Sequence, residues 1–124
     1  LCQMLVARGD AQRGLRRWPD AAVSYRQCAR LAWEHLLRLE LAFALWYLPH
    51  PLAHLREPEP ALRIAAAAEA LWLGSFGCLS ETDRRDMRRI RRLAARQLDS
   101  ARVQALWAQA AAAPLADAVT LAIS

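Results

Sequence analysis

The chain contains no lysine: all 17 of its basic residues are arginine. Against 12 acidic residues this leaves a formal net charge of +5. Arginine stands here wherever another coding bias would place lysine, and with the alanine excess it fits a GC-rich genome. Charge alone therefore says little about nucleic acid, although a basic balance permits acidic partners. Cysteine is scarce and odd in number, with Cys2, Cys28 and Cys78 and no CxxC spacing. That argues against a disulfide framework and for a reducing, cytoplasmic setting. No segment alternates apolar and polar residues with period two, so no strand is expected. No run of about 18 apolar residues is present. The richest stretch, Leu39 to Leu55, is broken by Glu40, Pro49, His50, Pro51 and His54. The chain does not open on a basic region followed by an apolar one, so no signal peptide is expected. Gly-rich phosphate loops, GxSxG and HExxH are also missing. No cofactor and no membrane contact are expected.

What is present favours helix. Of the 124 residues, 56% are hydrophobic, and alanine and leucine dominate. Ala, Leu and Arg lose little entropy on entering a helix. The length suits one domain or a piece of a larger one. The chain opens on Leu1 without an initiator Met, and we expect a fragment of a longer protein.

Periodicity predicts about six helices. The first covers Cys2 to Leu15. The second starts at Pro19 or Asp20, a residue type suited to a first turn, and carries Ala22, Tyr25, Cys28, Ala29 and Ala32. The third covers Glu34 to Leu48, either continuous with the second or divided from it by a tight turn near Trp33 to Leu36. Pro49 and Pro51 each remove a helical hydrogen bond, predicting a kink or break at Tyr47 to Pro51 and a short helical turn to Leu55. The fourth covers Ala61 to Leu73, and Gly74 to Gly77 ends it. Ser80 to Asp83 forms a capping-box-like start to the fifth. A sixth runs from Ala101 to Ala113, and Pro114 restarts a short terminal helix ending near Ile123.

A shift of forty positions aligns Ala21, Tyr25 and Cys28 with Ala61, Ala65 and Ala68. Repeats of this length signal stacked helical units. The block from Arg16 to Ala32 resembles the second half of a tetratricopeptide (TPR) repeat. Ala21, Tyr25 and Cys28 match that family's small, aromatic and small positions. Trp18 matches its aromatic near the turn, and Gly9 its small residue in the first helix. Small residues let two helix backbones approach, and the aromatic fills the space between them. Further on come Pro58 to Trp72, a Gly-bounded turn, Leu79 and Ser80, a charged helix, Ala105 to Ala110 and Pro114 to Ala122. That order is similar to the C-terminal end of the TPR-like array in large bacterial ATP-dependent transcriptional regulators of the LuxR or AfsR type. The resemblance covers about Arg16 to Ala122. It implies an all-α array of antiparallel helix hairpins, a TPR-like α-solenoid fragment. Residues 1–33 and 34–73 would be repeat-like hairpins and 78–124 capping helices, all in one domain. Pro49, Pro51 and Ala65 depart from the family pattern, so the second repeat is expected to be distorted. The nucleotide-binding and DNA-binding domains of such regulators are not in this sequence.

Two surfaces are candidate sites. TPR-like arrays bind ligands on a concave face, and the resemblance implies a groove at Trp33, Leu37, Glu40, Trp46 and Tyr47. It would take a peptide, a partner domain or a small effector. The other is a cationic face on the fifth helix, at Arg85, Arg88, Arg89, Arg92 and Arg96. Such stripes attract phosphate. They are also ordinary solvated faces whose arginine stems cover apolar surface. No aromatics interleave for base stacking, so nucleic acid is the alternative partner rather than the first. His50 and His54, four apart, could share a helix face as metal-binding pairs do, but Pro51 is expected to disrupt the helix between them and no nearby Cys or carboxylate completes a set. No neighbour in sequence would activate a cysteine thiol. Trp18, Trp72 and Trp107 are expected in the core. Chemistry is not expected; the chain reads as a binding module. An apolar end exposed on the first helix, Leu1 to Leu15, predicts self-association into a homodimer.

Overall fold

The computed structural model describes residues 1–124. The protein is all-α, with no strand. Its helices in order are α1 (Cys2–Gly14), α2 (Trp18–Glu34), α3 (Arg38–Tyr47), α4 (Pro49–His54), α5 (Pro58–Phe76), α6 (Glu81–Ala95), α7 (Ser100–Ala112) and α8 (Leu115–Ile123). Eight segments stand where about six helices were expected, the short α4 and α8 being the additions. Leu48, which joins α3 to α4, keeps right-handed helical geometry (φ −58, ψ −38), so the two form one bent helix. Counted that way the helices number seven. The bend falls at Pro49, where the ring leaves a carbonyl of the preceding turn without its donor.

Three inter-helix turns repeat one backbone conformation. Arg16, Leu36 and Arg56, spaced twenty positions apart, all take the left-handed region, with φ of 59, 56 and 61. Each following N–H donates back into the helix just ended. Arg17 reaches the Gln12 carbonyl at 2.8 Å, Leu37 that of Ala32 at 2.8 Å, and Glu57 that of Leu52 at 3.0 Å. These closures satisfy carbonyls that a helix end otherwise leaves bare. None of the three left-handed residues is glycine, and a Cβ there costs about 1–2 kcal/mol. Burial follows the same spacing: Ala21, Tyr25 and Cys28; then Leu41, Leu45 and Leu48; then Ala61, Ala65 and Ala68. The forty-residue repeat legible in the sequence is thus two structural units of twenty.

Helix α5 is the hub, packing against α3, α4, α6, α7 and α8. It is longer than expected at both ends. Pro58 and Pro60 lie within its first turn, where a missing N–H costs nothing. Gly74 lies inside it, and Gly77 supplies the left-handed cap at φ 80. Its buried faces are mainly alanine, from Ala65 to Ala68, which lets neighbours approach closely. The last helix, α8, folds back onto both α2 and α5. Arg26 on α2 donates to the carbonyls of Leu121 and Ala122 at 2.9 and 3.0 Å, and Arg30 to that of Ile123 at 3.3 Å. Two cations thereby cover the free carbonyls at the C-terminal end of α8. No single helix is long and apolar enough to cross a membrane.

The tryptophans differ from expectation. Trp18, Trp72 and Trp107 are only half-buried, while Trp46, assigned by sequence to an open groove, is 5% exposed. Helix α6 covers it: the Trp46 indole N–H donates to Asp86 at 3.4 Å, and the Trp72 ring lies 5.1 Å from its own.

Candidate functional site

A hollow of about 320 Å³ opens between α1, α3, α4 and α6. Helix α1 contributes Asp10 and Arg13, α3 contributes Trp46 and Tyr47, α4 contributes His50, and α6 contributes Asp86 and Arg89. Local rules place each helix. On α6, Ser80 accepts from the Asp83 N–H and Asp83 accepts from the Ser80 N–H, both at 3.1 Å, so the capping box read from the sequence is present. At the other end of α6, Gln97 donates to the Ala53 carbonyl at 3.1 Å and ties α6 to α4.

Inside the hollow the acidic groups are engaged. Asp10 accepts from the Tyr25 hydroxyl at 2.5 Å and lies 3.5 Å from Arg13. Arg13 also sits over the Tyr47 ring, 4.9 Å from its centroid, a favourable cation–π placement. Asp86 accepts from Trp46. Arg89 has no carboxylate within 4.0 Å.

The two histidines meet beside it. Helix α4 continues through Pro51, contrary to the expected interruption, and brings His50 Nε2 to 3.2 Å from His54 Nε2. The His54 ring stacks on Trp18 at 4.0 Å between centroids. Burial, followed by His54, Arg13 and Arg89, pushes His50 down to about 4. Burial also lowers His54, with Arg16, Arg89 and Arg96 acting in the same direction. Both rings are therefore neutral at pH 7. No group of three or more His, Cys, Asp or Glu is placed to hold a metal ion.

The groove expected from the sequence divides among three hollows. Trp33 and Leu37 line an apolar one of about 230 Å³ with Leu36, Leu41 and Leu115. Glu40 and Tyr47 line a second, of about 360 Å³, with Val6 and Phe43. Trp46 and Tyr47 line the hollow described above. The reason is helical geometry: Trp33 and Leu37 flank the turn after α2, while Trp46 and Tyr47 lie at the far end of α3.

The cationic face is exposed at Arg85, Arg88, Arg89, Arg92 and Arg96. Arg88 pairs with Glu81 at 3.0 Å, and that contact holds the Glu81 carboxyl below its ordinary range. Arg85, Arg92 and Arg96 make no ion pair within 4.0 Å. Arg91, exposed like the others, sets its guanidinium 3.9 Å from the Trp107 ring centroid. Sequence reasoning missed Asp10, Arg13 and Asp86, because nothing local marks that α1 and α6 face one hollow.

Burial, then the neighbouring Cys2, pushes the Cys28 thiol up to about 12. The Tyr25 and Tyr47 phenols are likewise raised by burial. All three therefore stay protonated at pH 7. Compared with protein-family models, curated proteins and solved structures, the chain matches none.

Proposed function

We propose that the chain is a non-catalytic binding module, a TPR-like helical-repeat array that takes a small effector, a peptide or an adjacent protein domain. The hollow between α1, α3, α4 and α6 carries this reading. It joins members of both sequence-derived surfaces, Trp46 and Tyr47 from one and Arg89 from the other, around fixed polar groups. Concave sites with a few placed polar groups on aromatic walls are what small-ligand recognition uses. The twenty-residue recurrence of turn and burial supports a stacked array, because each unit buries its apolar face only on the next. The resemblance to arrays of bacterial ATP-dependent regulators supports the wider role: a cytoplasmic sensor or scaffold segment, whose occupancy biases how it packs on the rest of a regulator or signalling ATPase.

The test is a thermal-shift panel of peptides and small effectors, anionic, cationic and uncharged, with hits followed by calorimetry. One saturable site, weakened by Arg13→Gln or Tyr47→Ala, with the ligand recovered unchanged, supports the reading. Chemical conversion of any ligand, or no hit sensitive to either substitution, sinks it.

The second reading is direct nucleic-acid binding through α6. The exposure of Arg85, Arg89, Arg92 and Arg96 without ion-pair partners favours it.

A further inference from the structure

Asp10 and Tyr47 stand at two hollows at once. One is the hollow of about 320 Å³ between α1, α3, α4 and α6; the other, of about 360 Å³, lies between α1 and α3. In the first, the chain supplies its own cation to them. The Arg13 guanidinium lies 3.5 Å from Asp10 and 4.9 Å from the Tyr47 ring centroid. The second holds the same two groups, with a further carboxylate at Glu40 and a further ring at Phe43, and no basic residue lines it. No cation lies within 4.0 Å of the Glu40 carboxylate. Phe43 and Tyr47, one helical turn apart on α3, set their rings 13° from parallel with centroids 6.4 Å apart. The exposed Leu39 extends this apolar wall, because it also lines a neighbouring hollow with Ala42 and the exposed Phe76 of α5. In a chain of net charge +5, the α1–α3 hollow thus carries a negative, aromatic lining whose cation is not supplied from within.

We propose that the α1–α3 hollow binds an arginine side chain of a peptide, its guanidinium at Glu40 and against the Phe43 and Tyr47 rings, with an apolar neighbour of that arginine covering Leu39 and Phe76. The proposal rests on the binding-module reading and names the partner. A guanidinium pairs with a carboxylate through charge-assisted hydrogen bonds. Its plane also stacks on aromatic faces, as Arg13 does on Tyr47 within this chain. Asp10 is already held by Arg13 and Tyr25, so Glu40 carries the charge recognition. Leu39 and Phe76 favour a peptide over a small organic cation, because a cation that fills only the hollow leaves them uncovered. Arg38 lines the neighbouring hollow, so a second basic residue placed there would meet like charge. The partner is therefore one arginine beside apolar residues rather than a basic run.

The test is fluorescence anisotropy of the full chain with a labelled peptide, capped at both ends, that carries a single arginine flanked by leucines. Matched peptides replace the arginine with citrulline, its uncharged isostere, or with glutamate. Saturable binding of the arginine peptide is expected, with citrulline about tenfold weaker, the usual loss for a charge-assisted contact. The glutamate peptide should not bind. Glu40→Gln should weaken the arginine peptide about tenfold as well, and Phe43→Leu about threefold through the lost ring face. Glu34→Gln removes equal charge at an exposed position outside the hollow and should change little. Circular dichroism checks that each variant folds. Three results overturn the proposal: no saturable binding, equal affinity for the arginine and citrulline peptides, or equal weakening by Glu40→Gln and Glu34→Gln. Argininamide binding as tightly as the peptide also overturns it, in favour of a small organic cation. Self-association abolished by Glu40→Gln overturns it in favour of a second copy of the chain. If the effector panel yields a ligand that responds to Arg13→Gln while the arginine peptide stays unbound, the module reading stands and this proposal falls.

Discussion

Gly9 on α1 and the Tyr25 ring on α2 compete for the same volume: a Cβ at Gly9 would stand 2.6 Å from Tyr25 Cε1. Tyr25 is fully buried and anchored through its hydroxyl to Asp10, so the ring has nowhere to retreat. Gly9→Ala therefore overpacks the α1–α2 contact. We expect it to destabilise the fold by about 1–3 kcal/mol, read as a lower urea midpoint. The helix propensity of alanine works the other way by about 1 kcal/mol, so an unchanged or higher midpoint would show that α1 simply shifts away.

Ser80→Ala removes one half of the α6 capping box. A loss of about 1 kcal/mol is expected. Ser80→Asp, which restores the acceptor, should recover most of it in the same thermal or urea titration.

Acid should destabilise the protein through His50. Its folded value, about 4, lies below the ordinary 6.5. Below the ordinary value the unfolded chain takes up a proton that the folded one refuses, so stability is full above about pH 6.5 and is lost as pH falls towards 4. The loss is about 2 kcal/mol, discounted for the ring's partial exposure to solvent. Urea midpoints measured at pH 7 and pH 4.5 give the slope, and His50→Gln should flatten it.

Leu1, just before α1, and Met4 on it are 77% and 71% exposed. Apolar groups left open at the end of a helical array favour self-association. Light scattering should show mass rising with concentration, and Met4→Glu should abolish the rise. A monomer at every concentration would refute it.

Binding of mixed-sequence DNA through α6 should be weak and steeply salt-dependent. Charge reversal at Arg88 and Arg92 should remove what remains at low salt. Tight binding at physiological salt, lost on those reversals, would instead promote the nucleic-acid reading.

Much of the local structure was legible in the sequence. The capping box at Ser80 and Asp83, the interruption at Pro49 and the restart at Pro114 all follow from short-range rules that the structure obeys. Gly9 and Tyr25 were each read as packing positions through the TPR resemblance, but that they meet came only from the structure. The twenty-residue period was harder to see. Its marker is a left-handed turn, and Arg16, Leu36 and Arg56 bear no glycine signature. The site was the least visible. Trp46 looked like a groove residue because its burial depends on α6, about forty positions away, laying Asp86 against it.

The sequence by itself determined that this protein is helical, where most helices start and stop, and which faces are apolar. Those properties depend on neighbours within about four residues along the chain, through backbone hydrogen bonds and side-chain periodicity. Only the tertiary structure decided which helices share a hollow. Arg13, His50 and Arg89 meet because α5 holds α3, α4 and α6 about itself while α2 carries α1. Packing fixes such meetings through the shapes of buried surfaces far apart in sequence, and no local pattern encodes them.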